Sequence, residues 1–197
     1  MICASLLLLT FLLILSIYLL FQTLFRFSPA TIHDLILAVH RMDVGELGDL
    51  FDAVKDENLR IPDTWTHRAR MLLEYLRRMG FNVFMILRWA YAEQERHAGA
   101  GVSPDPDKEQ ALEEIVKNGI QLRLYVLSSR ATLAWWLVRN AIGLRPTRGL
   151  ASLRWVGQAD GLAVYRRLAE SVCSFSRQYG SDTYRRLVAA LWGNEHS

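Results

Sequence analysis

Residues 63–97 read DTWTHRARMLLEYLRRMGFNVFMILRWAYAEQERH, and this stretch decides the fold class. Its apolar or small positions are Trp65, Ala69, Leu72, Leu76, Met79, Val83, Ile86 and Ala90. The steps between them run 4-3-4-3-4-3-4, which draws one continuous stripe along an α-helix and cannot be laid on one face of a strand. Asp63 and Thr64 supply the kind of side chain that caps a helix start. Gly80 lies inside the run and costs about 1 kcal/mol against alanine, but the phase passes through it unbroken. The part from Phe81 to Ala92 is apolar on nearly all sides and should be the more buried half.

On the C-terminal side, AGAGVSPDP at 98–106 is the clearest loop of the chain. Asp107 followed by Gln110 opens the next helix. Leu112, Ile115, Gly119, Leu122, Val126, Leu133 and Trp136 keep a similar phase, interrupted by Ser129, until Gly143 and Pro146 end the helix near Ile142. Two helices of this length joined by a short loop predict an antiparallel hairpin of roughly 50 Å across residues 63–143. Trp135 and Trp136 point about 100° apart, so burying both requires that the second arm be enclosed on most sides. On the N-terminal side, 29–58 reads as two short helices. The first opens at Ser28-Pro29 and runs to His40; the second is capped by Asp43 with Glu46. Residues 150–192 read as two C-terminal helices separated by Gly180. No stretch alternates with period two, so the expected body, residues 29–192, is an all-α bundle of five or six helices.

Ahead of the body, residues 4–25 read ASLLLLTFLLILSIYLLFQTLF, without a charge. As a helix they reach roughly 33 Å, enough for a hydrocarbon core of about 30 Å, and a helix satisfies its own backbone in lipid. The expectation is a retained single-pass transmembrane anchor. A cleaved signal peptide fits less well, because no basic residue precedes the run and Arg26 and Pro29 sit in the would-be cleavage region. Arg26 and Arg41 follow the span, which places the body on the cytoplasmic side. Residues 124–144 are apolar enough to raise a second span, but Arg130 and Arg139 would each cost about 2.5–3.5 kcal/mol near mid-bilayer. A bundle helix is therefore expected there.

With 51% hydrophobic and 22% charged residues among 197, disordered classes are excluded, and two cysteines cannot build a disulfide framework. The charge is unevenly divided. Residues 29–118 carry 16 acidic and 11 basic groups, whereas 119–194 carry 3 acidic and 11 basic. All 11 of the latter are arginines, which grip phosphate and carboxylate with two parallel donors. One reading is an anion-binding surface. Arg145 and Arg148 lead because they fall in a turn, joined by Arg154 and by the pairs Arg166–Arg167 and Arg185–Arg186. Anionic lipid headgroups rank above nucleic acid as its ligand. The competing readings are that the basic half packs against the acidic half, within the chain or across a homodimer, and that three lysines against twenty arginines reflect codon usage. Tyr165-Arg166-Arg167-Leu168 and Tyr184-Arg185-Arg186-Leu187 repeat the same four letters; Tyr and Leu should face the core and the arginines solvent.

His33 and His40 are seven apart, as if on one helical face, and Glu93 and His97 are four apart; these four are the weak candidates for a metal or haem site. No Glu-x-x-His, His-Glu-x-x-His or Cys-x-x-Cys occurs, so neither metal nor cofactor is expected. Gly-x-Ser-x-Gly and strand-borne phosphate loops are absent too, and Cys173 lies on an apolar helix face that favours an inert thiol. The combined expectation is a membrane-anchored interaction or scaffold protein without catalysis. Its partners would be lipid through residues 4–25, a protein or second copy through its long seams, and anionic lipid through the arginines. The alternatives are an anion-binding domain and, last, a bundle metal or haem protein.

Overall fold

Helix formation along the 63–97 seam is realised without interruption. In the computed structural model, which describes residues 29–55, 62–99, 105–141 and 160–192, the long helix α3 runs Pro62–Gly99. Ala69, Leu72, Leu76, Met79, Val83, Ile86 and Ala90 are all buried on its inward face. Two short helices precede it, α1 (Ile32–Ala38) and α2 (Val44–Lys55). Three follow: α4 (Pro106–Ala141), α5 (Asp160–Ser176) and, after a 3-10 turn at Arg177–Tyr179, α6 (Ser181–Trp192). All regular structure among the described residues is helical.

The hairpin is antiparallel, and glycine sets how closely its arms approach. A Cβ at Gly80 of α3 would stand 3.1 Å from Val126 Cγ1 of α4, and one at Gly119 of α4 would stand 2.7 Å from Leu87 Cδ2 of α3. Each arm thus lends a glycine where the other presents a branched side chain. Gly161 does the same at the start of α5, where a Cβ would fall 2.0 Å from the Tyr125 ring of α4. The otherwise aliphatic core holds two aromatic pairs: Trp89 meets Phe175 edge-on at 5.5 Å, and Tyr165 meets Trp192 at 5.8 Å. Such pairs add about 0.5–1.5 kcal/mol each beyond their burial.

The N-terminal arm is fastened by polar groups. α1 opens at Thr31, whose hydroxyl accepts from the Asp34 N–H while the Asp34 carboxylate accepts from the Thr31 N–H. Hydrogen bonds donated to the Asp34 carboxylate by the Thr31 hydroxyl and then by the Thr31 N–H hold its carboxyl below its usual range. The helix therefore starts three residues after Pro29, later than the sequence pattern implies, and it ends at Ala38, before His40. Asn82 of α3 explains the early end. Fully buried, it accepts from the His40 N–H at 2.7 Å, donates to the His40 carbonyl at 2.7 Å and donates to the Tyr165 hydroxyl oxygen at 3.0 Å. It offers the backbone at His40 what a neighbouring strand would, and the chain turns extended at Val39 to take it. Met42 N–H then donates to the Leu191 carbonyl at the end of α6. Gly180, at φ 112°, is the stop before α6, a conformation that favours glycine.

Residues 4–25 lie outside the described residues. Among those described, no helix is long and apolar enough to cross a membrane, and that includes α4, which covers most of the 124–144 stretch.

Candidate functional site

α4 carries two apolar faces. The inward one, Leu112, Ile115, Gly119, Leu122, Val126, Ser129 and Leu133, is buried. The outward one begins where a charged face ends. Glu113 and Lys117 are followed on the same side by Ile120, Leu124, Leu127, Trp135 and Val138, which are 45, 64, 52, 64 and 51% exposed. These five fall within an arc of about 80° and form a row roughly 27 Å long, with exposed Ala131 and Ala134 between them. Enclosure of both tryptophans is thus corrected. Trp136 is half-buried, whereas Trp135, 100° around the helix, stands in the open because no described element covers that side. Arginines flank the row: Arg123 and Arg130 on one side, Arg139 on the other. No acidic residue occurs between Gly119 and Ala159.

Between the row and α3 lies an open groove of about 620 Å³. Phe84, Leu87 and Tyr91 line one wall and Ile120, Leu124 and Leu127 the other. The guanidinium groups of Arg88 and Arg123 stand 5.7 and 5.5 Å from the centroid of the Phe84 ring, one from each helix. Cation–π attraction of about 0.5–1 kcal/mol each helps hold them at the lip of the groove. Glu95 is also part of this lining. The combination suits a ligand or surface that is apolar in its body and negative at its edge.

The sequence-predicted arginines divide. Arg145, Arg148 and Arg154 lie outside the described residues. Arg166, Arg167, Arg185 and Arg186 are exposed on α5 and α6, while Tyr165, Leu168 and Leu187 are buried and Tyr184 half-buried, as the repeated four-letter pattern requires. Ion pairs among the described residues are local: Glu74 with Arg77 and Arg78, Glu93 with Arg96 and His97, Asp105 with Lys108.

The histidine candidates separate as well. His33 is exposed on α1, but His40 falls beyond the end of that helix, so the two share no helical face. The His40 ring rests on Phe81 at 4.7 Å. Glu93 and His97 do meet, at 3.3 Å, yet the other partners of this buried carboxylate are Arg96, at 2.7 Å, and the Tyr179 hydroxyl, which donates at 2.5 Å. Arg96 also donates to the Ala30 carbonyl. Burial, then the adjacent Glu93 carboxylate, push the Tyr179 phenol above its ordinary range. This is a knot tying the first residues of the bundle and the 3-10 turn to the end of α3. Among the described residues no three of His, Cys, Asp and Glu come together as a metal site. Cys173 is buried, and burial pushes its thiol up to about 12, where it is a poor nucleophile.

The groove and row escaped the sequence reading, although one signal was present. Apolar residues in α4 recur on two sides after residue 119, where α3 keeps a single dominant stripe. No protein-family model, curated protein or solved structure matches the chain.

Proposed function

We propose that this protein is a membrane-anchored helical docking module, a scaffold that holds its bundle against another surface and performs no chemistry of its own. Residues 4–25 serve as the single-pass anchor in this reading, and the two arginines after them keep the body on the cytoplasmic side. The observation that carries the reading is the outward row of α4. Five large apolar side chains stand about half exposed in a line on the longest hairpin, edged by arginines. Scattered exposed apolar residues are ordinary on a soluble surface; a continuous row along one helix face marks a place where something binds.

Cysteine labelling in native membranes tests it. Leu124→Cys and Val138→Cys in the row, and Ser174→Cys on the exposed side of α5, are placed singly in a Cys3→Ser background. All three positions are open in the bundle, so an uncovered row gives equal maleimide rates. The reading expects the two row positions to react several-fold more slowly than Ser174→Cys. Equal rates would remove it.

A further inference from the structure

We infer that the surface met by the α4 row is an anionic lipid bilayer, with Leu124, Leu127, Trp135 and Val138 entering the headgroup layer and Arg123, Arg130 and Arg139 holding phosphates at its edges. This rests on the docking reading and names its partner.

Three observations select lipid over the other occupants. The first is charge. On α4 itself, from Gly119 to Ala141, the flanks of the row carry arginine and no carboxylate, Glu95 of α3 being the acidic residue of the adjoining groove, so this stretch of the face is complementary to phosphate, and a second copy laid against it would bring like charges together. The second is shape. The exposed side chains form a line along one helix rather than a rounded patch. A linear apolar row with a tryptophan, bordered by cations, is how a helix lies in the plane of a membrane interface. The third is placement. The uncharged run ends at Phe25, only four residues before Pro29, and at full extension those residues reach about 14 Å. Ala30 is in turn bound to Arg96 of α3, so the bundle begins next to any bilayer the run occupies. Such a tether raises the local concentration of the row at that surface and makes weak contacts sufficient.

The test uses the purified full chain in nanodiscs, free of other proteins. One set is phosphatidylcholine alone and the other includes phosphatidylglycerol. The maleimide rates of Leu124→Cys, Val138→Cys and Ser174→Cys are measured in each at low and high salt. Each arginine brought to an anionic surface is worth about fivefold in affinity, and that gain fades as salt screens it. The row positions should therefore be protected in the anionic discs at low salt, by about fivefold or more, and recover in neutral discs or high salt, with Ser174→Cys unchanged throughout. Replacing Arg123, Arg130 and Arg139 together by Gln, with helicity checked by circular dichroism, should abolish the difference between disc types. Equal protection in both lipids, or equal protection of Ser174→Cys, overturns the proposal. Row protection in native membranes without protection in any disc also overturns it and leaves a protein as the occupant. Absence of protection in both settings removes the docking reading with it. A chain that fails to enter the discs sinks the tether and the lipid assignment together.

Discussion

Replacing Asn82 by Leu tests whether one buried amide joins three parts of the bundle. Leucine has nearly the same volume, so the change removes hydrogen bonds without opening a large cavity. Three bonds are lost, two to the His40 backbone and one to Tyr165. Each is worth about 1 kcal/mol net, and more where the abandoned partner stays out of water. Because Asn82 is wholly buried, water does not replace it from the core side. The expected loss is therefore about 3 kcal/mol, or roughly 6–12 °C in the melting temperature of a chain this size. Denaturant and thermal unfolding of the full chain in micelles, followed by circular dichroism, give the number. A double-mutant cycle with Tyr165→Phe sharpens it: the phenylalanine should cost about 1 kcal/mol alone and nearly nothing beside Asn82→Leu. A loss below about 1 kcal/mol for Asn82→Leu, or strict additivity with Tyr165→Phe, would refute the clamp.

Two further measurements probe packing and titration. Gly48→Ala in α2 meets no atom within 4 Å and should stabilise by up to about 1 kcal/mol, whereas Gly161→Ala drives a methyl into the Tyr125 ring and should destabilise by about 1–3 kcal/mol; unfolding curves of the same sign for both would contradict the described packing. Above neutrality, the phenols of Tyr75, Tyr165 and Tyr179 are held neutral, chiefly by burial, with Tyr75 pushed up to about 12 with help from Glu46. A raised phenol stabilises the fold fully below its unfolded pKa near 10 and loses that contribution as pH climbs through the folded value. Absorbance titration at alkaline pH should accordingly show a group of tyrosines ionising together with loss of helicity, and smooth ionisation of every tyrosine near pH 10 in the intact bundle would be the contrary result.

The hairpin was legible because its signal is local and redundant. Eight positions of α3 agree on one phase, Gly80 does not disturb it, and the loop at 98–106 is rich in the two residues that end helices. The boundaries of α1 were not, because they depend on Asn82, forty-two positions away from His40, offering the backbone an alternative to one more helical turn. The Glu93–His97 pairing followed from helical spacing, while Tyr179 and Arg96, which make that carboxylate a fastening rather than a ligand, arrive from other contacts. The outward apolar row was hidden in plain composition. Leu124 and Trp135 have the same chemistry as core residues, and only the placement of α3 and α5 around α4 decides which of its two apolar faces is covered.

Periodicity and charge, both properties of the chain read in order, therefore determined the helical class, the long hairpin, the uncharged leader and the arginine-rich second half. Which apolar face stays open, which arginines edge it and which polar groups knot the helices together were decided by tertiary structure alone. The physical reason is that burial and hydrogen bonding are relations between segments: a helix fixes its own backbone from within, but what it shows to water is set by its neighbours.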